Sequence, residues 1–194
     1  MSPRSGGEAD KIGNRYESAW AIRHALYCLV REHCSMTVEA LDPDEARGAE
    51  FTFVERGKTQ VHQVKRQFKN NNAWSISALA RLGVFSSAIG HVAAGREYRF
   101  VSLIPCGNLR ELAERTRGAV DLATFTQHSL ATNQELRATF DELSAPKLLG
   151  TPEQAWKTLR GMWFEVREER ETMHDNGLLA ELTLIGAPGR LGRV

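Results

Sequence analysis

The stretch from Ser35 to Gln67 constrains the fold more than any other part of the chain. It holds three runs of strand-like composition, SMTVEAL (35–41), AEFTFVE (49–55) and TQVHQVKRQ (59–67). Arg56-Gly57 has the chemistry of a tight turn and predicts that the last two runs pair as a hairpin. DPDEARG (42–48) carries the Pro, Asp and Gly residues of a loop. In the third run Gln63 and Lys65 lie two residues apart, so a strand sets both on one face. A polar face is uncommon in the middle strand of three. Either that face is solvated, or it serves something that needs an amide oxygen and an ammonium together.

The flanking segments supply helices and one more strand. Residues 1–10 are small and polar and are expected to be loose. From Lys11 to Glu32 the pattern is helical. Tyr16, Trp20, Tyr27 and Val30 form one stripe, and Ala19, Ile22, Leu26 and Leu29 form its neighbour. So wide a combined stripe predicts a well-buried helix. After Asn70–Asn72, Ser75 is the N-cap expected for a helix running to about Ala94. Leu82, Phe85, Ile89 and Val92 are its apolar stripe, and Ala78, Gly83, Ser87 and Ala88 are small enough for close packing on a sheet. YRFVSLI (98–104) reads as a strand ended by PCGN. Further helices are expected over 108–117, 121–129 and 133–143, and from Thr151-Pro152, an N-cap and N1 pair. MWFEVRE (162–168) reads as a last strand and 177–186 as helical. The whole is an α/β fold. An αβββαβ core over 11–105 has a mixed sheet flanked by helices, 106–186 is a helical remainder of the same domain, and 187–194 is a linker-like tail.

Bulk composition limits the function. The chain of 194 residues is 42% hydrophobic and 25% charged with a formal net charge of +1, so any nucleic-acid role must rest on local patches. No apolar run reaches bilayer length, and MSPRSGGEADKIGN lacks the apolar core of a secretory signal. Cys28, Cys34 and Cys106 form no zinc pattern, which fits a reducing cytoplasmic compartment. There is no G-x-x-x-x-G-K-[ST] phosphate loop and no G-x-S-x-G elbow. Charge is instead concentrated locally. Glu39, Asp42, Asp44, Glu45 and Glu50 stand against Arg47 alone, and Arg56, Lys58, Lys65, Arg66 and Lys69 stand against Glu55 alone. Hairpin pairing would bring the acidic and basic clusters together. Carboxylates beside a lysine on adjacent strands can hold a divalent cation and a phosphate at once.

The αβββαβ order, with Glu50 opening the second strand and Gln63-Val64-Lys65 inside the third, resembles the PD-(D/E)xK, or restriction-endonuclease-like, nuclease superfamily. Glu17 on the first helix resembles the extra acidic ligand found in many members. The text GNRYESAWAI, followed by VEAL and GAEFTFVERGKTQVHQVKRQ, is closest to the double-stranded DNA endonuclease domain of bacterial antiphage effectors. Such domains open the cyclic-oligonucleotide-activated CBASS nucleases, and related ones precede NTPase modules in NLR-like defence proteins. The resemblance covers about residues 5–105. Glu50 stands where the family usually has Asp, and Gln63 where it usually has a carboxylate, although Gln occurs there within the subgroup.

The resemblance implies a sequence-non-specific double-stranded DNA endonuclease using Mg²⁺, or Mn²⁺ in its place. Glu50, Gln63 and Glu17 would hold the metal. Lys65 would orient or deprotonate the attacking water or neutralise charge on the phosphorane. Lys58, Arg66 and Lys69 would hold flanking phosphates without reading bases. It also implies a homo-oligomer, activated by clustering, with sensor or NTPase domains fused beyond the tail, and no membrane partner. The rival reading is a catalytically inactive nuclease-like domain that binds nucleic acid or oligomerises. At residue level, Glu17 could equally be a helix-surface carboxylate, Glu50 a strand-edge charge, and Gln63 with Lys65 a solvated face. Glu39 is a second candidate ligand, and Asp42, Asp44 and Glu45 read as a solvated loop. His24 reads as a satisfied core histidine and His62, out of phase with Gln63, as a packing residue. His174 and Asp175 have no metal partner at useful spacing.

Overall fold

The computed structural model describes residues 6–38, 48–66 and 72–186. Helix α1 (Gly6–Val30) leads into strands β1 (Cys34–Val38), β2 (Phe51–Glu55) and β3 (Lys58–Lys65). Helices α2 (Ile76–Arg81) and α3 (Val84–Ala93) precede β4 (Glu97–Ser102). Then come α4 (Leu109–Gly118), α5 (Leu122–Phe125) running into a π-helical turn (Thr126–Leu130), α6 (Gln134–Leu143), α7 (Pro152–Gly161), β5 (Met162–Val166) and α8 (Glu169–Gly186). This is the expected αβββαβ order followed by a mainly helical remainder. α1 begins at Gly6, inside the segment expected to be loose.

The five strands form one mixed sheet in the order β1-β2-β3-β4-β5. The first three are antiparallel neighbours, whereas β4 and β5 add in parallel. The β2–β3 hairpin closes on Arg56 and Gly57 with φ of 51° and 78°, the positive pair that a two-residue I′ turn requires. Gly takes its value without penalty, and Arg56 carries the strain.

The sheet separates two cores. On one face Val61, Tyr98, Phe100 and Phe164 pack against α2, α3, α4, α6 and α7 through Leu79, Phe85, Leu112, Phe140 and Leu159. On the other, Phe51, Phe53, Val64 and Val101 meet Tyr16 and Trp20 of α1, and α8 packs on α1 in turn. Each large side chain buried this way contributes about 1.5–3 kcal/mol.

Two expected stripes are corrected. On α1, Tyr16, Ala19 and Trp20 are buried, but Ile22 and Leu29 are 51% and 61% exposed. The sheet contacts one side of the helix, and α8, which reaches Ala19 and Arg23 through Asn176 and Asp175, leaves Ile22 and Leu29 exposed. The helix expected from Ser75 to Ala94 breaks at Gly83, whose φ is 74°. Ser75 does cap α2, its hydroxyl accepting from the Ala78 N–H. The break resets the helical phase, so Val84, Phe85, Ser87, Ala88 and His91 face inward while Leu82 and Ile89 are exposed.

Candidate active site

Lys65 is the last residue of β3, and Glu50 immediately precedes β2. The Glu50 N–H donates to the His62 carbonyl at 2.9 Å, extending the ladder by one step and fixing Glu50 beside the end of β3. Glu50 uses both carboxylate oxygens. Oε2 accepts from the Val64 N–H at 3.0 Å, and Oε1 accepts from the Lys65 ammonium in a close ion pair. The Glu17 Oε1 lies 3.5 Å from the same ammonium. The side chains of Glu50, Glu17 and Lys65 are 21%, 28% and 29% exposed, so solvent and ligand can reach all three.

α1 is held in the rotation that presents Glu17. The ring of Tyr16 is fully buried and its hydroxyl donates to the Arg167 carbonyl at 2.8 Å. One turn on, Trp20 Nε1–H donates to His62 Nδ1 at 3.1 Å. These two anchors bracket Glu17 and pin the helix to β3 and to the end of β5.

Two carboxylates around one ammonium leave an excess negative charge in a partly desolvated place. Both Glu50 and Lys65 hold their protons more tightly than usual. Burial raises the Glu50 carboxyl pKa by more than Lys65 and the Val64 N–H lower it. For Lys65, burial pulls downward, but the charge of Glu50, helped by Glu17, outweighs it and the ammonium titrates above its ordinary range. Lys65 is therefore a cation at neutral pH, and the cluster favours positive charge.

Gln63 is placed differently. It is 3% exposed, and its Oε1 accepts from the Tyr98 hydroxyl. Gly48 closes over this contact: a Cβ there would lie 2.4 Å from the Ser87 Oγ and 3.6 Å from the Gln63 Nε2. Burial and the charge of Glu50 raise the Tyr98 hydroxyl pKa, so it remains a donor. The face that carries Gln63 and Lys65 is thus divided, the amide packed against the α3 side and the ammonium at the open end of the strand.

Of the basic residues expected to bind phosphates, Lys58 sits at the hairpin tip, seven residues along β3 from Lys65, or about 23 Å at strand rise. Arg66 adjoins the cluster and pairs with Glu169 at 3.1 Å. Lys69 and the acidic residues Glu39, Asp42, Asp44 and Glu45 lie outside the described residues. His24 and His62 pack together between α1 and the sheet, with ring centroids 4.5 Å apart. His174 and Asp175 belong to α8, where Asp175 accepts from Arg23 at 2.6 Å.

The residues present fit a hard divalent cation through Glu50 and Glu17, since Mg²⁺ is commonly held by one or two carboxylates and otherwise by water and phosphate. Among the described residues no three of His, Cys, Asp and Glu group as a metal site, and the Gln63 oxygen is engaged by Tyr98. Three partners escaped the sequence reading: Tyr98, Arg167 and Glu169. Only Tyr98 left a signal, since alternation along YRFVS puts it in phase with Phe100, the parallel neighbour of Gln63.

Comparison with protein-family models, with curated proteins and with solved structures finds no match for the chain. Among the described residues no helix is long and apolar enough to cross a membrane.

Proposed function

We propose that the chain is a metal-dependent phosphodiesterase, acting as the sequence-non-specific double-stranded DNA endonuclease domain of a cytoplasmic bacterial antiphage effector that works as an oligomer alongside fused sensor or NTPase domains. The observation that supports this is the convergence of Glu17, Glu50 and Lys65 at the open end of β3. Held by Glu50 and Glu17, Mg²⁺ or Mn²⁺ would polarise the scissile phosphate and acidify an attacking water. The protein's own groups then have defined work. Glu17 and Glu50 bind and fix the orientation of the cation-seeking pocket. Lys65, protonated at neutral pH, exchanges its contact with Glu50 for a phosphate oxygen and neutralises the charge that builds there. Its raised pKa favours this electrostatic role over proton abstraction from water. Arg66 lies one residue further and can take an adjacent phosphate when it leaves Glu169.

A second reading has one observation in its favour. Gln63 is sealed against Tyr98, which reduces the donor set to two carboxylates and suits a nuclease-like domain that binds nucleic acid without cutting it. Plasmid nicking in Mg²⁺ or Mn²⁺, set against EDTA and against the Lys65→Ala protein, separates the two. Metal-dependent cutting that Lys65→Ala abolishes supports the endonuclease. DNA binding with no cutting supports the silent domain, and the absence of both refutes both.

A further inference from the structure

Away from the carboxylate–lysine cluster, the outer edge of the sheet carries a second concentration of charge. A cleft of about 410 Å³ wraps the β5 edge between that strand and α4. Its lining includes four guanidinium groups, from Arg99, Arg110, Arg117 and Arg167, and two carboxylates, from Glu114 and Glu165. Positive charge is therefore in excess on the walls of a concave surface.

The four arginines are not equivalent. Arg99 is committed: it donates to Glu165 and Glu97, both at 2.8 Å. Arg110 pairs along its own helix with Glu114 at 2.9 Å, in an exposed contact of little worth. Arg167 reaches Glu165 only at 3.9 Å. Arg117 makes no ion pair among the described residues. Its guanidinium stacks on Trp163, 3.8 Å from the ring centroid, and donates to the Met162 carbonyl. Burial draws its pKa below the ordinary range. The charges of Glu114 and Glu97 act on it without a direct pair, and a half-buried guanidinium in that position gains from an anion that does pair with it.

Trp163 orients the site. Arg117 lies over its ring at 3.8 Å and Arg99 at 4.9 Å. With two guanidinium groups already on the indole, a nucleobase has no clear ring to stack on. What remains for a ligand is the N–H edges of Arg110, Arg117 and Arg167. Guanidinium forks match tetrahedral oxyanions in bidentate fashion. A phosphodiester offers two unesterified oxygens, whereas a phosphate monoester offers three and carries nearly two negative charges. Three forks and an excess of positive charge suit the monoester.

We propose that this cleft binds a phosphate monoester, with Arg117 as its anchor and Arg110 and Arg167 as the flanking forks. The monoester could come from a small phosphorylated metabolite or from the terminal phosphate of a nucleic-acid strand, and the chemistry of recognition is the same. The site is distinct from the proposed cleavage site and does not depend on it. Register sets Trp163, which carries Arg117, in the row of His62, three residues back from the row of Lys65 and two strands away; Arg167 follows Val166 of the Lys65 row, also two strands from β3.

Calorimetric titration of the full chain tests this with inorganic phosphate, with a nucleoside monophosphate and with the unphosphorylated nucleoside. Saturable binding of the first two and none of the third is expected. Arg117→Ala should weaken phosphate binding by about tenfold or more, the loss of one charge-assisted hydrogen bond, and Lys65→Ala should leave it unchanged. Because Arg117 also packs on Trp163, thermal melting is run alongside. Should Arg117→Ala fail to fold, the exposed Arg110→Ala carries the test with the same expected direction. A companion titration compares oligonucleotides ending in phosphate or hydroxyl. Preference for the phosphorylated end assigns the source to nucleic acid, and equal weak binding of both assigns it to a small metabolite. Absence of saturable phosphate binding, or unchanged affinity in the folded arginine variant, overturns the proposal.

Discussion

Lys65 and Glu50 stand fifteen residues apart in sequence and form a close ion pair at the open end of β3. The pairing is imposed by the hairpin. Arg56-Gly57 sets the register that opposes Phe51 to His62, and the next ladder step delivers Glu50 to the end of the strand where Lys65 projects. Removing Lys65 leaves Glu50 beside Glu17 with no counter-charge, and removing Glu50 leaves Lys65 to Glu17 alone and the Val64 N–H without its acceptor.

Substitution at this pair should separate activity from stability. Lys65→Ala is expected to reduce metal-dependent DNA cleavage by about a hundredfold or more, the scale for removing one preorganised electrostatic group. Its stability should fall by about 1–3 kcal/mol, because Glu50 and Lys65 are only 21% and 29% exposed and the loss of Lys65 leaves Glu50 beside Glu17. Glu50→Ala should also abolish cleavage, while Glu50→Asp keeps a carboxylate at the site and should retain it. Cleavage measured beside urea denaturation checks this, and wild-type cutting by Lys65→Ala would remove Lys65 from the site.

Tyr98 governs Gln63. Its hydroxyl holds the amide oxygen, so Tyr98→Phe releases that oxygen while keeping the ring in the core. If Gln63 belongs to the metal donors, Tyr98→Phe should tighten Mn²⁺ binding measured by calorimetry, and Gln63→Ala in the same background should reverse the gain. Leaving the buried amide unsatisfied should cost about 1–3 kcal/mol of stability. An unchanged Mn²⁺ affinity in the folded variant would show that Gln63 is a core residue and not a ligand.

How far these arrangements could be read in advance depended on range. The β2–β3 hairpin was legible because its determinants are adjacent: two strand-like runs and an Arg-Gly pair that can take positive φ. Helix starts at Ser75, Asp121, Asn133 and Thr151 were legible for the same reason, each side chain accepting a backbone N–H three residues on. Gly83 was misread because a stripe count treats a helix as continuous, whereas one residue with φ of 74° resets it. The exposure of Ile22 and Leu29 depends on where α8 lies, which periodicity within α1 does not encode. At the site, alternation placed Gln63 and Lys65 on one face correctly. It could not show that the face ends between them, because the Tyr98 and Glu17 contacts come from separate elements.

Phosphate contacts should follow position and not charge alone. DNA affinity is expected to fall steeply with salt, as for any binding carried by phosphate contacts. Lys58, at the hairpin tip, should be replaceable by Ala without loss. Arg66→Ala should weaken binding. Glu169 holds Arg15 at 3.3 Å and Arg66 at 3.1 Å, so Glu169→Gln should raise affinity, by up to about fivefold if the pairs are worth what exposed pairs usually are. Fluorescence anisotropy across a salt series measures all four, and a flat salt response would contradict the phosphate assignment.

Acid should loosen the α1–sheet core before it affects the rest. His24 is 6% exposed, and burial pushes its pKa from 6.5 down to about 4. His62 is fully buried and is held well below its usual value by the same cause. An accepted hydrogen bond fixes the His62 ring as neutral, and burial keeps His24 neutral. His62 Nδ1 accepts from Trp20 Nε1–H, which leaves the proton on His62 Nε2, where no partner is present among the described residues. His24 Nδ1–H donates to the Trp20 carbonyl at 2.9 Å. Neither imidazole can become cationic without breaking the packing of Phe51, Phe53 and Trp20 around it. The unfolded chain protonates His24 below about pH 6.5, and the folded chain does not until about pH 4, so the unfolded state binds more protons within that window, and His62 adds a loss of the same sign. The stability from neutral His24 is thus complete above about pH 6.5 and is lost as pH falls toward 4, by about 1.4 kcal/mol per pH unit. Glu50 acts in the opposite sense, since its raised pKa makes stability fall as pH rises above the ordinary carboxylate value. Urea denaturation at closely spaced pH values, comparing the wild type with His24→Phe, isolates the effect. The variant should show a clearly shallower loss between pH 6.5 and about 4, and superimposable pH profiles for the two proteins would show that His24 is not held neutral by the fold.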